Sequence, residues 1–225
     1  MKILAFETAV DPGSVALWFD GEVVERFCPE GMPNSATLLP LAEQALADCG
    51  LTFASLDGLA FGMGPGSFTG LRVSCGVAQG LAIGRDLPLL GIGTLEAMAM
   101  SAGGSRVIAT LDARMGEVYF ALFENGLRRG VESLCAPEAV TLPDTQDWLA
   151  CGNALTTYPQ LRERLAGCVS AWKPEIMPIA GAVARLAAPR LARGERIDPA
   201  NAAPLYVRDK VAKTIAERLA EGGRA

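Results

Sequence analysis

The sequence predicts an α/β protein with two similar lobes, each built around a mixed sheet. The main evidence is an internal echo between residues 3–21 (ILAFETAVDPGSVALWFDG) and residues 107–126 (VIATLDARMGEVYFALFENG). In each stretch an apolar strand ends in an acidic residue, a turn with a glycine follows, and a second strand ends in Asp-Gly or Asn-Gly, which are typical of type I′ hairpin turns. Half of the 225 residues are apolar, enough for a sizeable core. We place the N-terminal lobe at residues 1–103 and the C-terminal lobe at residues 104–225.

Helices and strands alternate through the rest of the first lobe. Apolar residues at helical spacing predict a helix over residues 35–49, and a second helix over residues 68–84 follows a glycine-rich turn. Short apolar runs at residues 57–62 and 87–92 predict strands before and after that second helix. This alternation predicts a mixed sheet flanked by helices.

The second lobe repeats this pattern more loosely. Helices are predicted over residues 143–150, 157–166 and 178–194, and we interpret the last of them as a surface helix. Residues 198–210 contain two prolines and are predicted to be an extended connection. The last dozen residues are predicted to form a short helix, and its packing against the first lobe is left open.

The composition excludes several kinds of chemistry. The chain has no histidine, which removes the usual general base, Ser-His-Asp or Cys-His nucleophiles and histidine metal motifs. Its six cysteines are widely spaced and form no Cys-x-x-Cys pair, so we expect reduced thiols in a cytoplasmic protein rather than a zinc site or a disulfide frame. We also expect no signal peptide, no membrane segment, no metal and no cofactor.

The net charge of −5 is unevenly distributed. Residues 1–161 carry 8 basic and 18 acidic groups, a balance of −10, whereas residues 162–225 carry 12 and 7, a balance of +5. A uniformly basic nucleic-acid-binding protein is therefore excluded, because phosphate neutralisation needs concentrated positive charge. The basic part is interpreted as a solvated face, with contact to an anionic partner as the alternative.

The segment GMGPGSFTG at residues 62–70 is the most unusual stretch. Its glycines permit close backbone approaches, and Ser67 is placed to cap the following helix. A glycine loop at a helix N-terminus can bind an anion, but no lysine follows as in a P-loop, and a tight structural turn is an equal alternative. Glu7 and Asp112 end the first strand of each lobe, where facing acids suit a metal-bound phosphate. The candidate phosphate or nucleotide residues are Glu7, Thr8, Gly64, Gly66, Ser67 and Asp112.

The predicted helix over residues 68–84 carries glycines at positions spaced by four, namely Gly76, Gly80 and Gly84. Glycine inside a helix costs about 1 kcal/mol relative to alanine. Close approach of another helix backbone would explain three such glycines on one face. The sequence leaves open whether that second helix belongs to the same lobe or to another chain.

Several segments together resemble the TsaB (YeaZ) family. They are ILAFETA near the start, GPGSFTGLR, GVAQGLA, DARMGEVYFALF and the late PLYVRDKVA, and the resemblance extends to about residue 213. It implies the two-lobed fold of the actin-like ATPase (ASKHA) superfamily with duplicated ribonuclease-H-like lobes. It also implies a noncatalytic protein that activates its paralogue TsaD, which transfers the threonylcarbamoyl group to adenosine 37 of tRNAs that read codons starting with A.

The resemblance also implies the partners and the surface that they use. A TsaE-like ATPase joins the pair, the isolated chain forms a homodimer, and tRNA is contacted only through the complex. The interface residues implied are Leu38, Leu39, Leu46, Arg72, Cys75, Gly76, Gln79, Gly80 and Ile83. Many family members carry a histidine where this sequence has Asn34, so the partner geometry around residues 33–37 stays open.

Two other functions are weighed against this one. An active nucleotide-dependent phosphotransferase or ATPase is suggested by two lobes with an acid at the end of each first strand, Glu7 and Asp112. A glycopeptidase, a label attached to the family, ranks last because the chain has no histidine to bind its metal.

Overall fold

Two five-stranded sheets, one in each lobe, form the frame of the protein in the computed structural model, which describes residues 1–207. The first sheet consists of β1 (Lys2–Glu7), β2 (Ser14–Phe19), β3 (Glu22–Phe27), β4 (Gly58–Gly64) and β5 (Leu89–Gly93). The second consists of β6 (Arg106–Asp112), β7 (Val118–Glu124), β8 (Leu127–Cys135), β9 (Trp148–Cys151) and β10 (Val169–Lys173). The α-helices of the described residues are α1 (Asn34–Asp48), α2 (Phe68–Arg85), α3 (Thr94–Ala102), α4 (Ala154–Thr157), α5 (Pro159–Leu165) and α6 (Ala180–Ala192).

Both sheets have the same topology. Their strand orders are β3-β2-β1-β4-β5 and β8-β7-β6-β9-β10, with three antiparallel strands followed by two parallel ones. The hairpin turns Asp20-Gly21 and Asn125-Gly126 have positive φ at both residues, as a type I′ turn requires. The predicted two-lobed α/β fold with duplicated lobes is therefore confirmed.

Helices cover both faces of the first sheet. Side chains alternate along β1, so Leu4 and Phe6 pack in one core with α1 and α2, while Ile3 and Ala5 pack in another with α6. A sheet covered on both faces needs apolar residues on both sides of its strands. This requirement explains the nearly continuous apolar run at the start of the sequence.

The predicted first-lobe elements are confirmed, with one omission. The helices over residues 35–49 and 68–84 are α1 and α2, and the strands over residues 57–62 and 87–92 are β4 and β5. Helix α3 was not predicted. It follows β5 directly and its N-cap residue, Gly93, provides no capping side chain, so it lacks the usual N-terminal signal.

The second-lobe predictions are correct only in part. The helix over residues 157–166 corresponds to α5, but the helix over residues 143–150 is wrong: its C-terminal part is β9, which pairs with β6 and β10. A short apolar run does not distinguish a buried strand from a helix, and here the pairing with neighbouring strands decides. Residues 199–201 form one 3-10 turn, and residues 202–207 have no regular structure, which agrees with the predicted extended connection. The end of that connection and the predicted terminal helix lie outside the described residues.

Helix α6 returns to the first lobe. The prediction of a surface helix over residues 178–194 is wrong, because most of α6 is buried against the first sheet. Its small residues, such as Ala184 and Ala187, allow this close packing, and Ser14 and Glu25 accept hydrogen bonds from its first backbone N–H groups. The strands of the first sheet all precede residue 103 and those of the second all follow it, and the predicted domain limits stay a prediction.

No helix among residues 1–207 combines the length and the apolar character that a membrane span requires.

Candidate functional site

A cleft of about 500 Å³ lies where the two lobes meet. The first lobe contributes residues 9–11 and the start of α2, and the second lobe contributes residues 112–115 and Asn153. Residues 205–207 form a further wall. The cleft thus joins three separate parts of the chain, including the turns that follow β1 and β6.

The two strand-end acids share a local geometry. The Ala9 N–H donates to Glu7 Oε1 at 2.7 Å, and the Arg114 N–H donates to Asp112 Oδ1 at 2.8 Å, so each acid accepts from the residue two positions on. The duplication of the lobes therefore extends to the hydrogen bonds of these turns. The two carboxylates nevertheless differ in what surrounds them.

Glu7 is buried beneath the cleft rather than facing it. It is 1% exposed, its Oε2 has no hydrogen-bond partner in the described part of the chain, and burial raises its pKa from 4.5 to about 7. Gly62 leaves the room for the carboxylate, because an added Cβ at Gly62 would overlap Oε2. The expectation that Glu7 and Asp112 face each other is therefore wrong, since only Asp112 lines the cleft.

Asp112 and the neighbouring charges are engaged within the protein. Asp112 accepts from Tyr158 Oη at 2.8 Å and lies 3.4 Å from Nη1 of Arg114, while Asp11 accepts from Asn34 Nδ2 at 3.0 Å. Arg114 is the one cation among the described residues of the lining, and it is paired. Two acids and one paired arginine do not favour a phosphate. Among residues 1–207, no three His, Cys, Asp or Glu side chains are grouped so as to hold a metal ion.

The glycine-rich loop packs tightly against the turn after β1. Thr8 Oγ1 donates to the Gly70 carbonyl at 2.6 Å, and added Cβ atoms at Gly66 and Gly70 would overlap Ala9 and the Thr8 carbonyl. Ser67 Oγ accepts from the Gly70 N–H at 3.3 Å, so the predicted cap of α2 is confirmed. Gly66 and Ser67 line the cleft, whereas Thr8 is buried.

Gly64 serves the same close packing at the end of β4. Its φ of +118° favours glycine, and an added Cβ would lie 2.7 Å from the Leu205 carbonyl oxygen. The Leu205 N–H donates to the Met63 carbonyl at 2.6 Å. The tight structural turn, which the sequence left as an alternative, thus accounts for these glycines, and a phosphate-binding role stays a prediction.

Helix α2 exposes a row of residues at helical spacing. The row runs through Phe68, Arg72, Gly76, Gly80 and Ile83. Apart from the chain neighbours and the nearby backbone of the helix itself, no heavy atom of the described chain lies within 4 Å of an added Cβ at Gly76 or Gly80. Within residues 1–207 these glycines therefore do not serve packing against another helix of the lobe, and a contact with another chain stays a prediction.

A comparison with protein families and known proteins decides the family. The family model described as "TsaD: tRNA N6-adenosine threonylcarbamoyltransferase" matches residues 33–215. The Escherichia coli (strain K12) "tRNA threonylcarbamoyladenosine biosynthesis protein TsaB" is 38% identical over 94% of this chain and 96% of that protein. The chain belongs to the TsaB (YeaZ) family. The Haemophilus influenzae TsaB is 34% identical over 94% of this chain and 95% of its own length.

Solved structures of TsaB (YeaZ) relatives have the same fold. "YeaZ from Pseudomonas aeruginosa" is 33% identical with a TM-score of 0.81, covering 91% of this chain and 99% of that chain. A second Pseudomonas aeruginosa structure, titled as an uncharacterized protein with similarity to peptidase YEAZ, is 32% identical with a TM-score of 0.84 and covers 92% and 99%.

The TsaB-type interface implied by the sequence divides into buried and exposed residues. Leu38, Leu46 and Cys75 do not present side chains at the surface, because all three belong to the first-lobe core. Leu39 and Ile83 are 42% and 61% exposed. Gln79 is half-buried and donates from Nε2 to the Pro199 carbonyl at 2.7 Å. A partner contact through the exposed residues stays a prediction.

Sequence reasoning missed one cluster at the N-terminal end of α2. The ring of Tyr206 lies 5.4 Å from that of Phe68, and Arg72 contacts both. These residues are up to 138 positions apart, so no periodicity connects them. The sequence signal that could have pointed to this cluster was the family resemblance of the segments GPGSFTGLR and PLYVRDKVA, because these two segments contain all three residues.

Proposed function

We propose that this TsaB-family chain acts in tRNA threonylcarbamoyladenosine biosynthesis as a noncatalytic partner that binds and activates a TsaD-like paralogue. The observation that carries the proposal is the exposed row on α2, in which Gly76 and Gly80 meet no other part of the described chain. The names of the two TsaB relatives identify the process. The family model supplies the paralogue, because residues 33–215 of this chain match the TsaD model and the two proteins are therefore related.

The interlobe cleft supports a noncatalytic role. The superfamily reaction that the sequence suggested needs acids from both lobes at a metal-bound phosphate. Glu7 is sealed beneath the cleft and Asp112 is held by Tyr158 and Arg114. The two acids of the described lining, Asp11 and Asp112, are engaged by Asn34 and by Tyr158 and Arg114, and its one cation is paired, so the alternative of an active phosphotransferase is not favoured.

The α2 row has the physical character of a helix-packing surface. A glycine has no side chain to hold a neighbouring helix away, so backbones can approach closely and exclude water. Ile83 at one end of the row and Leu39 on α1 are exposed apolar side chains that such contact would bury. We propose that helices α1 and α2 form the partner interface, and that the isolated chain uses the same surface as a homodimer.

The remaining parts of the proposal concern the larger assembly. A TsaE-like ATPase joins the pair, and tRNA is contacted through the complex rather than by this chain alone. We place the protein in the cytoplasm. All six cysteines are unpaired thiols, which suits a reducing compartment.

The test uses glycine substitutions that leave the isolated fold intact. Gly76→Leu and Gly80→Leu add side chains into open space, and replacing a helical glycine raises helix propensity. We expect thermal unfolding temperatures equal to or above that of the wild type, but loss of the complex with the TsaD-like paralogue in size-exclusion chromatography. Gly167→Leu, also in open space but in the second lobe, is the control and should preserve the complex.

Activity measurements complete the test. We expect tRNA modification to require both proteins and to fail with Gly76→Leu but not with Gly167→Leu. Complex formation by Gly76→Leu at wild-type affinity would refute this placement of the interface. Turnover of ATP or modification of tRNA by the isolated chain would refute the noncatalytic role.

A further inference from the structure

The segment formed by residues 197–207 runs along helix α2. The Ile197 N–H donates to the Leu89 carbonyl at 2.9 Å, and the Pro199 carbonyl accepts from Gln79 in the second half of α2. Further along, the Leu205 N–H donates to Met63. The segment therefore runs beside α2 from Gln79 to the N-terminal end of the helix, beside the exposed row.

There the segment meets Arg72 in a three-residue cluster. The guanidinium of Arg72 lies 3.9 Å from the centroid of the Phe68 ring, and Nε donates to Tyr206 Oη at 2.9 Å. Phe68 and Tyr206 are 39% and 43% exposed, and Arg72 is exposed too. A cation over an aromatic face is attracted by the ring quadrupole. The two aromatic residues thus fix the position and the plane of an exposed guanidinium.

The outer edge of this guanidinium is available for binding. In residues 1–207, neither Nη1 nor Nη2 of Arg72 has a hydrogen-bond acceptor or an ion-pair partner, because its contacts are through Nε and the face of the group. A planar guanidinium binds a carboxylate through two parallel N–H groups. Because Arg72 is already held, little side-chain freedom remains to be lost on binding.

We propose that Arg72 binds a carboxylate side chain of the TsaD-like paralogue and that Tyr206 positions it for this contact. The proposal rests on the function proposed above, since Arg72 lies one turn from Gly76 in the same exposed row. Arginine and tyrosine are residue types enriched among the contacts that dominate interface affinity. A tRNA phosphate is the less favoured occupant, because the adjoining cleft carries Asp11 and Asp112, which repel a polyanion.

The experiment measures the affinity of the full chain for the paralogue by calorimetry, at low and at high salt. We expect Arg72→Met to lower the affinity about tenfold at low salt and to weaken its salt dependence. Tyr206→Phe keeps the ring but removes the hydroxyl, and we expect a loss of about threefold. Arg129→Met removes the same charge from an exposed position of β8 in the second lobe and is the control, with unchanged affinity expected. Thermal unfolding checks that each variant folds.

A double-mutant cycle separates positioning from direct contact. If Tyr206 acts through Arg72, Tyr206→Phe should have no further effect in the Arg72→Met background. A further loss there would refute the positioning role. Equal affinities of the Arg72→Met and Arg129→Met variants would refute the carboxylate contact while leaving the proposed function intact, whereas failure of the wild type to bind would refute both. Unchanged paralogue affinity with weakened tRNA binding by the complex would assign Arg72 to a phosphate and overturn the proposal.

Discussion

The buried carboxyl of Glu7 predicts an unusual dependence of stability on pH. Its Oε2 has no hydrogen-bond partner among the described residues, and one backbone N–H, from Ala9, supports Oε1 at 2.7 Å. An ionised carboxylate in such a place lacks the solvation that it has in the unfolded chain. The perturbation that exposes this effect is Glu7→Gln, which keeps the shape and removes the charge.

The magnitude follows from the shift in the pKa of Glu7 from 4.5 to about 7. Each pKa unit corresponds to about 1.4 kcal/mol, so full ionisation lowers the free energy of unfolding by about 3 kcal/mol. The sign is that of a pKa raised on folding: the stability is fully present below pH 4.5 and is lost as the pH rises through about 7. The stability of Glu7→Gln relative to the wild type should therefore rise by about 3 kcal/mol over this window.

The assay is urea unfolding of both proteins at a series of pH values. Any pH-independent loss of stability caused by the glutamine amide shifts the whole curve of unfolding free energy against pH and does not affect its change with pH. Glu132, whose pKa burial also raises to about 7, titrates in both proteins and cancels in the difference. Glu22→Gln, at an exposed position of β3, controls for the loss of one surface carboxylate. A stability difference that stays constant from pH 4.5 to above pH 7 would show that Glu7 is not a buried, destabilised acid.

Two further predictions concern the packing of helices on the first sheet. Gly70→Ala should lower the free energy of unfolding by about 3 kcal/mol, because the new Cβ overlaps the Thr8 carbonyl; Gly76→Ala, in open space on the same helix, should raise it by about 1 kcal/mol. Equal urea midpoints for the two variants would contradict this contrast. Ser14→Ala should cost about 1–2 kcal/mol by leaving the buried N–H of Ala180 at the start of α6 without its 2.8 Å acceptor. An unchanged unfolding curve would show that Ser14 does not stabilise the docking of α6.

Local signals in the sequence were sufficient for the hairpins and for helices α1 and α2. The Asp-Gly and Asn-Gly turns require positive φ, which few residues adopt, and Ser67 caps α2 as its position indicated. The strand over Trp148–Cys151 was mistaken for a helix because its four residues carry no alternation and gain their structure from pairing with β6 and β10. Elements without local signals were thus the ones predicted incorrectly.

The candidate site likewise has features that the sequence predicted and features that it did not. The sequence identified Glu7 and Asp112 as equivalent acids, and the matching hydrogen bonds at 2.7 and 2.8 Å agree with that equivalence. It did not reveal that one acid is sealed and the other lines a cleft, since burial depends on which elements cover each strand end. Similarly, Tyr206 joins Phe68 and Arg72 only because the chain returns along α2.

The sequence by itself determined the duplicated α/β architecture, the family, and the absence of histidine chemistry, because turn residues, apolar periodicity and composition are properties of the chain alone. Only the tertiary structure decided that the glycine row of α2 faces away from its own lobe, that α6 covers the first sheet, and that Glu7 lies beneath the cleft. Each of these depends on contacts between segments far apart in the chain. Such contacts are set by the burial of apolar surface in the folded molecule as a whole.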